Sequence, residues 1–372
     1  MRVILSGGGT GGHIYPAVTI AKTIAGLEKS DILFVGTKQG LEADLIPKEG
    51  FPITTIEVRG LERRLSWANV VTVYKTMGSL WHSRRIIKEF KPDIVIGTGG
   101  YVCGPILLAA SLSGIPTIIQ EQNVIPGVTN KILAHFVDKI AVGYPEAGRY
   151  FAKPGKVVAT GNPVRAEVVT ANKAEGLAQL GLDPEKLTLL VAGGSRGARS
   201  INTAMLAVHK HFGGRSDIQI LHVTGQSEYN SLVGNFQQQS IDISSFGNII
   251  IRPYLYNMPY ALAAADIAVF RAGAIGLAEL TARGIPSILI PYPYAAENHQ
   301  EFNARVLAEQ GAAEVIRDAE LTGERLIAAI EDLVNNRAKL QAMADASRRL
   351  GRPQAAEAIA QLAIQLKSGA KK

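Results

Sequence analysis

The chain opens on "MRVILSGGGTGGHIYPAVTIAKTI" (residues 1–24), in which a short apolar run leads into a glycine-rich segment. Val3 to Leu5 are apolar, and glycine occupies every position from 7 to 12 except Thr10. His13 follows, and the residues after it repeat apolar side chains at helical spacing. A buried strand, a tight glycine turn and the start of a helix are the parts of a Rossmann-like unit, so this stretch predicts a parallel α/β fold.

Short β-branched runs alternate with longer helical patterns along the rest of the chain. The runs that we interpret as buried strands are "RVILSG", "ILFVG", "DIVIGTGG", "PTIIQEQ" and "KIAVG" in the first half, and "LTLLVAGG", "IQILHVTG", "NIIIRPY", "DIAVFRAG" and "PSILIPY" in the second. Near-continuous apolar strands separated by helices are typical of parallel sheets that helices cover on both faces.

The two halves of the chain repeat one another in order. "SGGGTGGH" follows a strand in the first half as "AGGSRGAR" does in the second, and Gly114-Ile115-Pro116 is matched by Gly284-Ile285-Pro286. A chain of 372 residues is long enough for two cores. We therefore predict an α/β protein of two Rossmann-like, doubly wound parallel-sheet domains, residues 1–163 and 164–350. Residues 351–372 are expected to form a helix that packs back on the first domain.

Composition and charge narrow the function classes. A formal net charge of +7 favours anionic partners, and the chain lacks the stripe of Lys and Arg interleaved with aromatic residues that would indicate nucleic acid. Cys103 is the single cysteine, which excludes an intrachain disulfide and a multi-thiolate metal site and suits the cytoplasm. No signal-peptide pattern and no run of about 18 apolar residues is found, so we expect a protein that does not span a membrane.

Four glycine-rich turns follow predicted strands, at the sheet edge where ligands of such folds collect. They are "GGGTGGH" (7–13), "GTGGY" (97–101), "GGSRGA" (193–198) and "RAGAIGLAE" (271–279). Bare amides at the positive end of a helix suit phosphate oxygens, so the four turns together indicate bound diphosphate. A NAD-dependent dehydrogenase is disfavoured, because the second strand ends in Gly36-Thr37-Lys38 where the ribose-binding acid belongs.

Six motifs appear in a fixed order: "GGTGGH" (8–13), "EQN" (121–123), "GNPVR" (161–165), "GGSRGA" (193–198), "RAGA" (271–274) and "HQ" (299–300). On these motifs the chain resembles, over nearly its whole length, the MurG family of bacterial peripheral-membrane N-acetylglucosaminyltransferases. The resemblance implies a GT-B fold with an interdomain cleft. It implies that the carboxyl-terminal domain binds UDP-N-acetylglucosamine (UDP-GlcNAc) and that the amino-terminal domain binds lipid I, undecaprenyl-pyrophosphoryl-MurNAc-pentapeptide. Transfer to the MurNAc 4-hydroxyl, with inversion, would give lipid II and UDP for peptidoglycan synthesis.

The resemblance also assigns residues position by position. Glu279 corresponds to the ribose ligand and Leu255 to the residue whose backbone reads uracil, where isoleucine is more common. Donor contacts are implied at Thr10, Gly11, Gly12, Asn123, Arg165, Ser195, Leu255, Ala274, Ile275, Gly276, Glu279, His299 and Gln300, and acceptor-diphosphate contacts at Gly8, Gly9, Gly99, Gly100 and Tyr101. Gly276 lacks a hydroxyl that some members offer the phosphate, His299 replaces a second glutamine, and Phe270 stands where a small residue is usual.

The residues themselves suggest how such a transfer would work. Glu279 suits a ribose diol because a carboxylate accepts two hydrogen bonds. The chain has no Asp-x-Asp pair, so we expect helix N-termini, with Arg165 assisting, to stabilise the leaving diphosphate without a required metal or cofactor. An imidazole can remove a hydroxyl proton, so His13 is expected to act as the general base or to position the acceptor.

Residues 70–90 form an amphipathic pattern with basic flanks. The positions expected to contact a membrane are Val73, Met77, Leu80, Trp81, Arg84, Arg85 and Lys88. Pattern alone favours an ordinary helix packed on the sheet, but an enzyme with a lipid-anchored acceptor must reach the bilayer. We therefore expect peripheral attachment to the anionic inner-membrane surface, at the cytoplasmic face of the bacterial plasma membrane.

Two other functions stay open on the sequence. A UDP-GlcNAc 2-epimerase shares the two-domain plan, but it would need acidic residues for proton transfer at carbon 2 and would need no acceptor. A non-catalytic nucleotide-sugar sensor could keep Glu279 and Gln300 but would not need the first glycine loop with His13.

Overall fold

The computed structural model describes residues 1–58, 67–194, 197–238 and 243–369, and the side chains of 67–77 and 243–244 lie outside that description. The strands are β1 (Arg2–Ser6), β2 (Asp31–Gly36), β3 (Ile53–Thr55), β4 (Ile94–Gly97), β5 (Thr117–Glu121), β6 (Lys139–Val142), β7 (Val157–Ala159), β8 (Leu187–Ala192), β9 (Ile218–Val223), β10 (Ile249–Arg252), β11 (Ile267–Phe270), β12 (Ser287–Leu289) and β13 (Ala313–Val315).

The α-helices alternate with these strands. They are α1 (Gly11–Leu27), α2 (Glu42–Lys48), α3 (Trp67–Phe90), α4 (Cys103–Leu112), α5 (Val128–Leu133), α6 (Ala166–Thr170), α7 (Lys173–Leu180), α8 (Arg199–Phe212), α9 (Tyr229–Gln238), α10 (Met258–Ala264), α11 (Ala274–Arg283), α12 (His299–Glu309), α13 (Gly323–Asn335), α14 (Arg337–Leu350) and α15 (Ala355–Gly369). Short 3₁₀ helices cover Pro145–Tyr150, Pro154–Lys156, Ile243–Phe246, Ala296–Asn298 and Asp318–Glu320.

The chain divides into two units. The amino-terminal unit consists of Met1–Val164 together with Gln354–Lys372, and the carboxyl-terminal unit of Arg165–Pro353. The first contains a seven-stranded sheet in the order β3-β2-β1-β4-β5-β6-β7, and the second a six-stranded sheet in the order β10-β9-β8-β11-β12-β13. All strand pairs are parallel, so the predicted class of two doubly wound parallel sheets is confirmed.

Each sheet has one point at which the strand order reverses. In the amino-terminal unit it lies between β1 and β4, and in the carboxyl-terminal unit between β8 and β11. Helices leave such neighbouring strands in opposite directions, which opens a crevice at their carboxyl ends where ligands bind. The four glycine-rich turns predicted from the sequence follow these four strands.

Alternate residues of the strands serve two separate cores, one on each face of the sheet. In β4, Val95 packs in one apolar cluster with α4, while Ile94 and Ile96 pack in another with α1. Ile359 of α15 is fully buried in that second cluster, which attaches the carboxyl-terminal helix to α1. Burying an isoleucine contributes roughly 1.5–3 kcal/mol, which explains why strands covered on both faces are apolar throughout.

Candidate functional site

Two glycine-rich loops meet at the reversal point of the amino-terminal sheet. Because β1 and β4 are neighbours, residues 7–12 and 98–101 leave the sheet side by side. The Gly8 amide donates to the Gly99 carbonyl over 3.4 Å. A Cβ on Gly100 would lie 2.5 Å from the Gly8 carbonyl oxygen, so the loops interlock at a separation that requires glycine at position 100.

The thiol of Cys103 links the same two loops. Its Sγ lies 3.0 Å from the Ser6 carbonyl oxygen and 2.9 Å from that of Gly99. Burial raises the pKa of the Cys103 thiol to about 11, so the group is a neutral donor between the two carbonyls. The thiol therefore has a packing role here and is not a nucleophile.

The buried carboxylate of Glu42 occupies the space that a side chain at Gly8 in the first loop would need. Glu42 is 1% exposed, and it accepts hydrogen bonds from the Gly9 amide (3.1 Å), the Thr37 amide (3.0 Å) and the Thr37 hydroxyl (2.8 Å). A Cβ on Gly8 would lie 2.6 Å from Glu42 Oε1. Gly8 and Gly9 were expected to bind diphosphate, but both of their amides donate within the protein.

The first turn of α1 offers the amides that Gly8 and Gly9 do not. Thr10 is the N-cap in an extended conformation, and neither a side-chain cap nor an acidic residue is found in the first turn. The amides of Gly11 and Gly12 fall in that turn, where a helix provides no internal partner. A Cβ on Gly12 would meet nothing closer than 3.6 Å, so this helix end is open to an anion.

His13 stands at the third position of α1, half-buried beside the second loop. Its Nδ1 lies 3.0 Å from the Thr98 carbonyl oxygen and 3.1 Å from Gln122 Oε1. Both neighbours are acceptors, so Nδ1 carries the proton and Nε2 carries the lone pair. In this tautomer Nε2 can receive a proton from a substrate hydroxyl.

Asn123 is oriented by a carboxylate that the sequence-based site omitted. Glu121 is 2% exposed and accepts from the Asn123 amide (3.0 Å), the Asn123 side chain (3.3 Å), the Gly127 amide (3.1 Å) and Asn130 Nδ2 (2.8 Å). These four donors fix the loop after β5. A carboxylate at the end of a buried strand was the signal that could have identified Glu121.

The reversal point of the carboxyl-terminal sheet presents a second open helix start, that of α11. Its N-cap is Gly273, with no side-chain cap and no acidic residue in the first turn. A Cβ on Gly273 would meet nothing within 4 Å, and one on Gly276 only Phe270 Cδ1 at 3.9 Å. Ala274 is buried and Ile275 half-buried, so the helix start is small and accessible. Ser195, another predicted donor contact, lies outside the described residues.

Glu279 of α11 forms an ion pair with Arg165, the N-cap of α6. Arg165 Nε lies 2.8 Å from Glu279 Oε1, with the side chains 33% and 9% exposed. The guanidinium was expected beside the phosphates, and the structure places it on the carboxylate expected to bind ribose. The ion pair fixes the position of that carboxylate.

Three further donor-site candidates are Gln300 and His299, at the start of α12, and Leu255, on a loop. Gln300 Oε1 accepts from the Tyr292 amide (2.9 Å), which leaves the Gln300 NH₂ group as a donor. His299 Nδ1 donates to the Ala296 carbonyl (2.7 Å), so its Nε2 carries the lone pair. Leu255 is half-buried in the loop after β10, between the exposed Tyr254 and Tyr256.

Arg271 joins several segments of the carboxyl-terminal unit, and sequence reasoning gave it no role. Its Nη1 donates to the carbonyls of Ile290 (3.1 Å) and Pro291 (3.2 Å) and pairs with Asp318, while Nη2 donates to Ser200 Oγ (2.8 Å). Arg271, the first residue of "RAGA", therefore holds together the loops after β11 and β12 and the start of α8 by hydrogen bonds. Across the described part of the chain, no group of three or more His, Cys, Asp or Glu side chains is placed to hold a metal ion.

The residues expected at a membrane lie mostly on the exposed side of α3. Trp81 is 68% exposed, and Arg84, Arg85 and Lys88 are exposed on the following turns. Leu80 instead packs against the core, which argues against membrane contact for that side chain. The side chains of Val73 and Met77 lie outside the described residues. Within the described ranges, none of the helices has the length and apolar character needed to cross a bilayer.

Comparison with known proteins identifies relatives of both units. The model of the glycosyltransferase family 28 N-terminal domain matches residues 3–142, and that of the family's C-terminal domain matches residues 188–362. A UDP-N-acetylglucosamine–N-acetylmuramyl-(pentapeptide) pyrophosphoryl-undecaprenol N-acetylglucosamine transferase of Desulforamulus reducens is 52% identical, covering 95% of this chain and 96% of its own.

Solved structures give the same fold. The crystal structure of MurG from Acinetobacter baumannii is 28% identical, with a TM-score of 0.78 over 98% of this chain and 99% of that one. The UDP-GlcNAc 2-epimerase of Neisseria meningitidis, solved with UDP-GlcNAc bound, has a TM-score of 0.69 over 98% of this chain and 100% of that one. Its 13% identity makes this a likeness of fold alone.

Proposed function

The chain belongs to glycosyltransferase family 28, and on that premise we propose that it transfers N-acetylglucosamine from UDP-GlcNAc to the MurNAc 4-hydroxyl of lipid I. The products are lipid II and UDP, and the anomeric carbon is inverted. The observation that carries the proposal is 52% identity, over nearly the whole of both chains, to a transferase of that name.

The carboxyl-terminal unit supplies the donor site in this proposal. Glu279 accepts hydrogen bonds from both hydroxyls of the uridine ribose, and the backbone at Leu255 recognises the uracil. The open start of α11 at Ala274, Ile275 and Gly276 receives the diphosphate, because uncapped amides and the positive helix end stabilise the charge that grows on departing UDP. The NH₂ group of Gln300 donates to a sugar hydroxyl.

The amino-terminal unit supplies the acceptor site. The amides of Gly11 and Gly12 at the start of α1 hold the diphosphate of lipid I, a role in which they replace the engaged amides of Gly8 and Gly9. Gly99 and Gly100 shape this site through the interlocked loops, and the exposed Tyr101 borders it. Asn123, oriented by Glu121, has a different role in this proposal and contacts a hydroxyl of the donor N-acetylglucosamine.

His13 is the general base of the proposed reaction. Its Nε2 takes the proton of the attacking 4-hydroxyl as the bond from that oxygen to the anomeric carbon forms. The bond from the anomeric carbon to the phosphate oxygen breaks on the opposite face, and its electron pair leaves with UDP. The imidazolium then releases its proton to solvent.

A lipid-anchored acceptor requires contact with a membrane, and the amino-terminal unit has a suitable surface. Trp81 of α3, Leu112 of α4 and Ile132 of α5 are 68%, 57% and 53% exposed on helices that neighbour one another in the fold. Arg84, Arg85 and Lys88 add positive charge along α3. Exposed apolar side chains together with basic side chains suit an anionic lipid surface, which supports peripheral attachment at the cytoplasmic face.

One assay tests the proposal against its main competitor. The purified enzyme is given UDP-GlcNAc labelled in the sugar, with and without a lipid I analogue carrying the MurNAc 4-hydroxyl. We expect label in the lipid fraction only when the acceptor is present. Conversion of UDP-GlcNAc to its C2 epimer without acceptor would establish an epimerase instead, and binding without either reaction would establish a sensor.

A further inference from the structure

The side chain of Gln122 lies directly behind His13 and is 2% exposed. Its Oε1 is 3.1 Å from His13 Nδ1, so the imidazole N–H is shared between this amide oxygen and the Thr98 carbonyl oxygen. Gln122 is the middle residue of the "EQN" motif, and sequence reasoning gave it no role.

The orientation of the Gln122 amide is fixed by its other neighbours. Its Nε2 donates to the Thr98 carbonyl (2.6 Å), the Gln120 carbonyl (3.2 Å) and Gln120 Oε1. All three are acceptors, and a flipped amide would place an oxygen against each of them. The amide oxygen must therefore face His13.

Gln120 and Asn162 close the hydrogen-bonded ring. Gln120 Nε2 donates to Asn162 Oδ1 (2.9 Å), and Asn162 Nδ2 donates back to the Gln122 carbonyl (2.9 Å). Gln120 is fully buried and Asn162 nearly so. A Cβ on Gly143 would lie 2.2 Å from Asn162 Oδ1, so a glycine is required where the ring passes β6. Every side-chain amide of the ring has a defined direction.

The imidazole is also confined by the backbone. A Cβ on Gly99 would lie 2.6 Å from His13 Nδ1, which shows that the ring packs directly on that residue. Thr98 Oγ1 donates to the His13 carbonyl over 2.6 Å and holds the first turn of α1 in place. The imidazole of His13 therefore has little freedom to rotate and exchange the positions of its two nitrogens.

We propose that Gln122 is a positioning residue that holds His13 in the Nδ1–H tautomer with Nε2 directed at the acceptor. This inference deepens the proposed function, since it rests on His13 acting as the base. A neutral amide is suited to the task, because it accepts from Nδ1–H without the charge of the carboxylate that orients histidine in many hydrolases. The Gln120–Asn162 ring prevents the amide from turning.

The test combines nuclear magnetic resonance with kinetics on the full chain. The tautomer of His13 is read from nitrogen-15 imidazole spectra of histidine-labelled enzyme, with the His13 signals identified by their loss in His13→Gln. Gln122→Met removes the amide at similar volume. The matched control is Gln361→Met, the same change at an exposed position of α15. Thermal unfolding checks that each variant folds.

We expect the Nδ1–H tautomer in the wild type and in Gln361→Met, and a mixture of tautomers in Gln122→Met. We expect kcat of Gln122→Met to fall by about 10- to 100-fold, by analogy with the loss of a partner that orients a metal-binding histidine, at unchanged KM for UDP-GlcNAc.

Two results would overturn the positioning role: an Nε2–H tautomer in the wild type, or an unchanged tautomer in Gln122→Met. A mixed tautomer with unchanged kcat would support the positioning of His13 by Gln122 and would refute the general-base role. The spectra report on Gln122, whereas the rates report on the proposed chemistry, so the two failures are distinguishable.

Discussion

Arg165 and Glu279, 114 residues apart in the sequence, meet in an ion pair with 2.8 Å between Nε and Oε1. The carboxylate is nearly buried on the second turn of α11, and the guanidinium reaches it from the N-cap of α6. The pair fixes the group that we expect to receive the ribose, so the carboxylate is in place before the donor arrives.

Glu279→Gln tests this arrangement. The amide has one acceptor oxygen in place of two and leaves Arg165 without its counter-charge, and a hydrogen bond to a charged group contributes about 1.5–3 kcal/mol. We expect KM for UDP-GlcNAc to rise by about tenfold or more and kcat to change less. Arg165→Met breaks the ion pair but keeps the ribose ligand, so its effect on KM should be smaller. Equal effects would mean that Glu279 acts only through Arg165.

His13→Ala should lower kcat by about 10²- to 10⁴-fold, because general-base catalysis contributes about that much. Donor affinity, measured by calorimetry with UDP-GlcNAc, should stay unchanged. His135→Ala is the control, since His135 is an exposed histidine in the same unit. Near-normal turnover of His13→Ala with unchanged donor affinity would contradict the base assignment.

Strands in the sheet interior were predictable from the sequence, and short edge strands were not. The ten apolar runs identified in the sequence all contain strands of the structure. The strands that the sequence did not reveal are β3, β7 and β13, each three residues long and each at the edge of its sheet. An edge strand has one neighbour and is partly exposed, so it needs no continuous apolar run.

The site was predictable where it depends on a local sequence pattern and not where it depends on contacts between residues distant in the sequence. Glycine turns after strands identified the two reversal points, because bare backbone at those positions has a recognisable pattern. The sequence could not show that Glu42 uses the Gly9 amide or that Gln122 faces His13. Those contacts join residues 33 and 109 positions apart, and only the folded sheet brings them together.

Transfer is predicted to need no divalent metal ion. The chain has no Asp-x-Asp pair, and the open starts of α1 and α11 offer backbone donors to the two diphosphates. The rate of sugar transfer should therefore be unchanged when EDTA is added to dialysed enzyme. Loss of activity on chelation, reversed by one specific divalent ion, would refute the prediction.

Trp81→Glu tests the membrane surface. The substitution replaces an exposed aromatic side chain among basic residues with a negative charge. We expect binding to vesicles of anionic lipid, measured by co-sedimentation, to weaken by about tenfold, because apolar insertion and charge attraction are both reduced. Leu27→Glu changes another exposed apolar residue of the same unit, at the end of α1, and should have little effect. Intact binding of Trp81→Glu would count against this surface.

A buried pair of histidines in the carboxyl-terminal unit predicts acid sensitivity. His222 Nε2 donates to Asn202 Oδ1 (3.0 Å), since Asn202 Nδ2 is committed to the Thr224 carbonyl. His222 Nδ1 therefore accepts from His209 Nε2 (3.0 Å), and His209 Nδ1 has no hydrogen-bond partner among the described residues. Both rings are fully buried and neutral in this arrangement.

Burial lowers the pKa of His209 to about 3 and the pKa of His222 well below its usual value. Their ordinary pKa in the unfolded chain is about 6.5. The two neutral histidines therefore do not lower the free energy of unfolding above that pH. Below it the free energy of unfolding falls, because the unfolded chain binds protons that the folded unit excludes. Each histidine should lower the free energy of unfolding by about 1.4 kcal/mol for each pH unit of acidification between about pH 6 and pH 4.

Calorimetry of His209→Gln measures this cost. The glutamine amide can still donate to His222 Nδ1, so the hydrogen bond is kept while one of the two titrating groups is removed. The wild type should lose Tm steeply between pH 7 and pH 5, and His209→Gln should lose about half as much over the same range, whatever its Tm at pH 7. His135→Gln, at an exposed position, should keep the wild-type slope. A slope in His209→Gln equal to that of the wild type would show that the buried pair does not set the acid limit, and carboxylates that lose their ion pairs would then be its cause.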